Sequence, residues 1–224
     1  MIFRHGLLVT VLVIAVIWSL SSLGYYGLAP VFGDGFGYDE APVAFTLYYG
    51  AWTALAAYVF HFDIDRWAAR HMLPQNHVLP VVFAVVFAGY ALFVLPRLPA
   101  IDMPEDALPE TWLAATGSWF LPKSMEILFQ QILITALVLS LAARELSVAR
   151  IGALVALLFG GFHLSLALSG ENAFYVARYT VAATAFGAFL PYLMLRVRSG
   201  FIIAYAIHWS FYAVDLAIGH FVLG

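Results

Sequence analysis

Seven runs of apolar residues, each long enough to cross a lipid bilayer as a helix, organise this sequence of 224 residues. A helix of about 20 residues spans the hydrocarbon core, which is about 30 Å thick. Only helices and closed barrels satisfy their backbone hydrogen bonds in lipid, and the alternating pattern of barrel strands does not occur in this sequence. We therefore predict an all-α polytopic membrane protein of about seven transmembrane helices, with a single membrane domain over 1–224. The runs cover about 7–29, 43–61, 78–96, 122–143, 151–169, 173–195 and 201–223.

The composition agrees with this class and excludes others. Hydrophobic residues make up 64% of the chain and charged residues 10%, whereas about a quarter of the residues of a soluble protein are charged. A formal net charge of -3 argues against nucleic acid as a partner. The absence of cysteine excludes disulfides, thiolate metal sites and cysteine nucleophiles. The oligomeric state is left open.

The basic residues predict the orientation, because loops rich in Lys and Arg stay in the cytoplasm. The N-terminus is therefore predicted to be cytoplasmic and the C-terminus extracytoplasmic. The acidic, proline-rich loop at about 97–121 then lies outside, as an interfacial helix or a substrate-facing lid. The first apolar run exceeds the core of a signal peptide, so we expect a retained helix. One side carries Arg4, Arg66, Arg70, Arg144, Arg150, Arg196 and Arg198, and the other carries Arg97, Lys123 and Arg178.

Glu126 lies inside the fourth apolar run, where ionisable residues are rare and mark functional sites. One interpretation is an interfacial carboxylate that pairs with Lys123 or is hydrated from the loop. The other is a general base that takes a proton from water. Gln130 and Gln131 add amides that could orient the carboxylate, and we expect at least one of them to face the protein interior.

His163 lies in the fifth run and His208 in the seventh. His163 follows two glycines, so its segment is either a close-packed helix seam or part of a site. His208, Tyr212 and Asp215 form one polar stripe on the seventh helix, either as a structural network or as the wall of a site. For Asp215 we expect a partner in His208, Tyr212 or another helix. Arg178 is expected to reach the outer headgroups or to pair with a carboxylate.

These residues resemble the CPBP family, which contains the type II CAAX prenyl endopeptidases and Abi-like bacterial relatives linked to bacteriocin processing and immunity and to protein sorting. The family motifs are E-E-x-x-x-R, F-x-x-x-H and H-x-x-x-N on three helices. Phe159 to His163 match the second motif, and His208 begins the third, in which Tyr212 stands in place of Asn. The resemblance covers about 122–215.

The first motif is degenerate, and two registers are open. Glu126 is either the second glutamate, with Met125 in place of the first and Gln130 in place of Arg, or it is the first glutamate. In the second case Ile127 and Gln131 replace the supporting Glu and its Arg. The second register leaves no unpaired buried charge, whereas the local sequence favours the first.

The resemblance implies an intramembrane glutamic endopeptidase. In this mechanism Glu126, assisted by His163, activates water, and His208 stabilises the oxyanion, with Tyr212 assisting. The supporting residues are then Gln130, Gln131, Phe159, Tyr212 and Asp215. No cofactor is required; zinc is an alternative, although the HExxH spacing is absent. The expected substrate is a membrane-anchored protein or peptide, cleaved near the C-terminal anchor of an exported protein, in a bacterial or archaeal plasma (inner) membrane.

Three other functions fit the same residues. A non-catalytic relative, acting in immunity or as a scaffold, would explain the degenerate first motif. A proton-coupled transporter would use Arg178, Asp215 and Glu126 as a relay. A haem protein would use His163 and His208 as axial ligands.

Overall fold

The computed structural model describes residues 6–28, 37–71, 78–100, 115–169 and 172–223. These residues contain no strand, and seven of their helical segments are long and apolar enough to cross a membrane. The prediction of an all-α, polytopic membrane protein is thus confirmed. The long helices are α1 (Leu7–Leu28), α2 (Pro42–His71), α3 (Val78–Gly89), α4 (Phe120–Ala142), α5 (Val148–Leu164), α6 (Ala173–Arg196) and α7 (Gly200–Leu223).

The predicted end of the second helix, at about 61, is wrong, because α2 continues to His71. The extra turns contain polar residues that end an apolar run but do not end a helix. Arg66 donates to Asp63 at 2.5 Å within the helix, and Trp67 is only 1% exposed. An internal ion pair and a buried ring therefore hold the extension in helical form. Most of the predicted outer loop, residues 101–114, lies outside the described residues.

The chain divides into two compact units, and each is described by itself. The first unit comprises Met1–Leu73 and Thr116–Leu146. Its α4 packs against α2 and α1 and is the most buried of the seven spans. Tyr48 of α2 donates to the carbonyl of Ser21 in α1 at 2.8 Å, and Thr53 of α2 donates to the carbonyl of Met125 in α4 at 3.3 Å. These bonds fix α4 within its unit.

The second unit comprises Pro74–Ala115 and Ser147–Gly224, and α5 and α6 are its most closely packed pair. Glycines permit the close approach of the two backbones. A Cβ added to Gly187 of α6 would lie 2.9 Å from Cα of Ala156 in α5, and one added to Gly152 would lie 2.7 Å from the carbonyl oxygen of Ala188. The part of α5 that carries His163 is thus held firmly against α6.

A tight turn joins α6 to α7. Val197 and Gly200 donate to the carbonyls of Leu193 and Val197, at 3.2 and 3.1 Å. Ser199 adopts a positive φ of 57°, and a Cβ at position 200 would collide with the carbonyl of Leu193. The turn therefore requires glycine at this position.

The end of α3 is fixed against α7. The helix continues as a π-helical turn, Tyr90–Val94, and a 3-10 turn, Leu95–Arg97. Phe87 stacks on Trp209 with ring centroids 3.9 Å apart, and the Tyr90 hydroxyl donates to the carbonyl of Ala213 at 2.5 Å. These contacts flank His208 and so hold its helix in position.

Candidate functional site

The residues predicted to form the site fall in both units. Glu126, Gln130 and Gln131 belong to the first unit. The second unit contains the remainder, namely Phe159, His163, His208, Tyr212 and Asp215. The predicted site residues therefore form two groups of polar side chains, one in each unit.

In the first unit, the Glu126 carboxylate accepts three hydrogen bonds from described residues. Tyr38 Oη and Lys123 Nζ donate to Oε2 at 2.9 and 2.7 Å. Gln130 Nε2 donates to Oε1 at 2.9 Å. The side chains of Lys123 and Glu126 are only 12% and 15% exposed. The ion pair with Lys123, one of the two interpretations of Glu126, is therefore present, and Gln130 donates to the same carboxylate. Since a carboxylate offers about four acceptor positions, Oε1 keeps capacity for another donor.

Sequence reasoning missed Tyr38. This residue lies between α1 and α2, 88 residues before Glu126, so no periodicity links the two. Its ring is 7% exposed, and burial, followed by the nearby Glu126 carboxylate, raises the pKa of the Tyr38 phenol well above its ordinary value. Tyr38 is therefore a neutral donor. The only signal in the sequence was an aromatic residue directly before two acidic ones, Asp39 and Glu40.

Gln131 faces the interior of its unit, as predicted for at least one glutamine. The side chain is 0% exposed. Neither atom of its amide has a hydrogen-bond partner among the described residues, which is unusual for a buried polar group. The carboxylate of Glu126 is bonded by Gln130, so the two adjacent glutamines have different surroundings.

In the second unit, one tautomer of His163 is fixed by its own helix. Nδ1 lies 2.8 Å from the carbonyl oxygen of Phe159. Because a carbonyl only accepts, Nδ1 must carry the hydrogen, and Nε2 of the neutral ring keeps its lone pair. The preceding Gly160 packs against Thr184 of α6. The sequence F-G-G-F-H is thus consistent with both interpretations. Its glycine packs closely against α6, and its histidine has a nitrogen that can accept a proton.

His163 and His208 line the same cavity, of about 270 Å³, between α5, α6 and α7. The Phe159 ring contacts both imidazoles, with centroid distances of 4.8 Å to His163 and 6.0 Å to His208. His208 also stacks on Tyr212 at 5.7 Å. The other lining residues are apolar apart from one tyrosine, and they are Tyr179, Ala182, Ala183, Ala185, Phe186, Phe189, Ile207 and Phe211. The cavity therefore combines an apolar wall with a few polar atoms, as ligand and substrate sites commonly do.

Asp215 finds its partners on another helix, one of the alternatives left open by the sequence. Its Oδ2 accepts from the Tyr179 hydroxyl at 3.2 Å and from Arg178 at 3.3 Å. The Asp215 side chain is 4% exposed and that of Arg178 is 16% exposed. The guanidinium also lies 5.5–5.8 Å from the centres of three rings of α6, those of Phe174, Tyr175 and Tyr179. Asp215 and Arg178 thus form a buried ion pair that joins α6 to α7.

The zinc alternative requires three or more protein ligands in one place. Within the described ranges, no three histidine, aspartate or glutamate side chains converge in this way. His163 and His208 share a cavity.

The fold defines the class of this chain, an integral multi-pass membrane protein. No protein-family model matches it, and no curated protein or solved structure is significantly similar to it. These comparisons therefore assign the chain to no particular family.

Proposed function

We propose that this protein is an intramembrane endopeptidase of the CPBP type, which cleaves a membrane-anchored protein or peptide with activated water. The observation that carries the proposal is the cavity that His163 and His208 line together. Ionisable imidazoles among apolar side chains of membrane helices are rare and mark functional sites. Apolar neighbours also reduce the screening of electrostatic interactions with a reacting group.

The hydrogen bond of His163 supports its role. Nδ1 carries the hydrogen that is donated to the Phe159 carbonyl, so Nε2 of the neutral ring is the nitrogen that can accept a proton. A histidine held in one tautomer by a backbone carbonyl is a common arrangement for an acid–base residue.

Glu126 enters the proposal through the sequence resemblance, as the carboxylate that activates water together with His163. The proton of water passes to this base, and the hydroxide adds to the peptide carbonyl carbon. His208 and the Tyr212 hydroxyl donate to the resulting oxyanion. The base then returns the proton to the leaving nitrogen, the C–N bond breaks, and a carboxylate and an amine are released. The spare acceptor capacity of Oε1 is compatible with this role.

The predicted orientation restricts the class of substrate. If the site opens to the extracytoplasmic side, the substrate is an exported protein cleaved near its C-terminal anchor. A reporter fused to the C-terminus of this chain tests the orientation, and a cytoplasmic reporter would contradict it.

One observation favours a second candidate, a non-catalytic CPBP relative. Glu126 is paired with Lys123. Another of its donors, Gln130, occupies the position of Arg in the register that makes Glu126 the supporting glutamate. In that register Met125 replaces the catalytic residue. The chain would then act by binding, in immunity or as a scaffold.

Substitutions in the native host separate the two candidates. We compare Glu126→Gln and His163→Ala with wild type, and identify new protein termini and uncleaved precursors in membrane and secreted fractions by mass spectrometry. A peptidase predicts that both variants, present in the membrane at wild-type level, accumulate the same precursor. Unchanged termini in both variants would refute the peptidase and leave the non-catalytic relative.

Matched controls come from α2. His61 also bonds a carbonyl of its own helix, that of Tyr58, through Nδ1 at 2.6 Å. Asp63 is a buried carboxylate paired with a cation three residues away. Asp63→Asn removes a buried, paired carboxylate, and His61→Ala removes an exposed imidazole with the same kind of bond to its helix. A loss of stability from removing such bonds would appear in the controls as well, whereas a loss of catalysis would not.

A further inference from the structure

We infer that Tyr38 is a positioning residue that sets the orientation of the Glu126 carboxylate. The inference rests on the proposed function, in which Glu126 activates water. Neither the motifs nor the helix pattern assigns any role to this tyrosine.

The first step is the distribution of donors around the carboxylate. Tyr38 and Lys123 both donate to Oε2, and Gln130 donates to Oε1. Lysine is a flexible point charge with little directional preference. The phenol is more directional, because its oxygen is attached to a ring that is buried and packed among other rings. Tyr38 therefore determines which oxygen of Glu126 is fully occupied and which is available to water.

The second step is the rigidity of the tyrosine itself. Its ring contacts four others, with centroids at 5.3 Å to Tyr25, 5.4 Å to Phe45, and 5.9 Å to both Tyr49 and Trp119. Aromatic neighbours in such edge and tilted arrangements restrict the ring, in addition to the hydrogen bond of its hydroxyl to Glu126. A base held within a narrow range of geometries reacts faster than one that samples many.

The third step is the attachment of the segment to α4. Asp39, the next residue, accepts hydrogen bonds from the backbone N–H and the hydroxyl of Thr116, and from Ser118 at 3.3 Å. Gly37 donates to Glu40 at 2.9 Å, which closes the turn. The segment before α2 is thus fastened to the beginning of α4, the helix that carries Glu126. Tyr38 and Glu126 are held in register from both sides.

The test uses Tyr38→Phe, which removes one oxygen and leaves the ring. Tyr25→Phe is the matched control, because it removes the same atom from a neighbouring ring whose hydroxyl is not a described donor to Glu126. The purified variants in liposomes are given the precursor that accumulates with Glu126→Gln. We expect kcat for Tyr38→Phe to fall about tenfold with KM unchanged, as for an interaction that matters in the transition state. Tyr25→Phe should cleave like wild type.

A spectroscopic measurement accompanies the kinetics. The infrared difference between wild type and Glu126→Gln identifies the carboxylate stretch of Glu126, and in Tyr38→Phe this band should shift. Asp39→Asn, which loosens the segment without touching Glu126, should lower kcat in the same direction. It therefore provides a second variant if Tyr38→Phe accumulates poorly.

The outcomes distinguish the inference from the proposed function. If Glu126→Gln is inactive but Tyr38→Phe and Asp39→Asn retain the wild-type kcat, Tyr38 has no positioning role and the peptidase stands. If Tyr38→Phe changes only the unfolding temperature, its role is structural and the inference is overturned. If Glu126→Gln cleaves normally, the proposed mechanism fails and the inference fails with it.

Discussion

The ion pair between Arg178 and Asp215 provides the sharpest test of the described packing. The two charges are 3.3 Å apart, with side chains 16% and 4% exposed, inside helices that cross the membrane. Removing one partner leaves the other charge buried without compensation. Removing both, with apolar residues of similar size, leaves no charge to solvate. The prediction is that Arg178→Met and Asp215→Leu each destabilise the protein and that the double variant is much less affected.

The magnitude follows from burial. Breaking a buried pair typically costs about 3–5 kcal/mol, and partial exposure of Arg178 reduces this to about 2–4 kcal/mol. Arg178→Met should cost more than Asp215→Leu, since it leaves the more buried charge with only the Tyr179 hydroxyl. In the double variant the cost should fall to about 0–1 kcal/mol. In a double-mutant cycle, the interaction energy between Arg178 and Asp215 is then several kcal/mol, so the effects of the two substitutions are far from additive.

The assay is reversible unfolding of the purified protein in mixed micelles, titrated with a denaturing detergent and followed by helix content. Each variant is compared with wild type under the same lipid conditions. Additive single costs, or single costs below about 0.5 kcal/mol, the level of ordinary surface substitutions, would refute the reasoning. Either result would mean that Arg178 reaches the headgroups and that Asp215 does not depend on it.

Two further predictions concern packing and use the same unfolding assay. Gly187→Ala forces a Cβ against the backbone of α5 and should destabilise the protein by about 1–3 kcal/mol. The control is Gly161→Ala, which has nothing within 4 Å of its added Cβ and should be neutral or slightly stabilising. Equal effects of the two substitutions would contradict the close packing of α5 on α6. Gln131→Leu replaces a fully buried amide without a described partner and should stabilise the protein by about 1–3 kcal/mol. Gln130→Leu removes a donor to Glu126 and should destabilise it. A loss of stability with Gln131→Leu would mean that the amide binds a buried water.

Most of the fold could be predicted from the sequence because hydropathy alone determines where a helix can cross a membrane. The number of helices and nearly all their ends follow from it. The exception is the end of α2, where Asp63 and Arg66 interrupt the apolar run although they satisfy each other within the helix. Hydropathy counts each charge separately and therefore misses a pair that neutralises itself.

Less of the candidate site could be predicted, because its contacts join distant parts of the chain. The partners of Glu126 on its own helix, Lys123 and Gln130, lie three and four residues away, so spacing already made both of them candidates. Tyr38 was not, since only the folded chain brings it to α4. The choice among partners for Asp215 was also open, because spacing cannot decide between its own helix and α6.

The turn between α6 and α7 has a consequence for how the protein enters the membrane. Its short hydrogen-bonded connection means that the two helices emerge from the ribosome with almost no polar linker between them. We expect the translocon to accept them together, as a helical hairpin. Arg178 and Asp215 lie towards the ends of the hairpin that are remote from the turn. They then enter the membrane as an ion pair, which avoids the energetic cost of inserting either charge alone. Lengthening the turn with a glycine-serine linker should reveal this coupling as slower or incomplete insertion of α6 in a glycosylation-reporter assay.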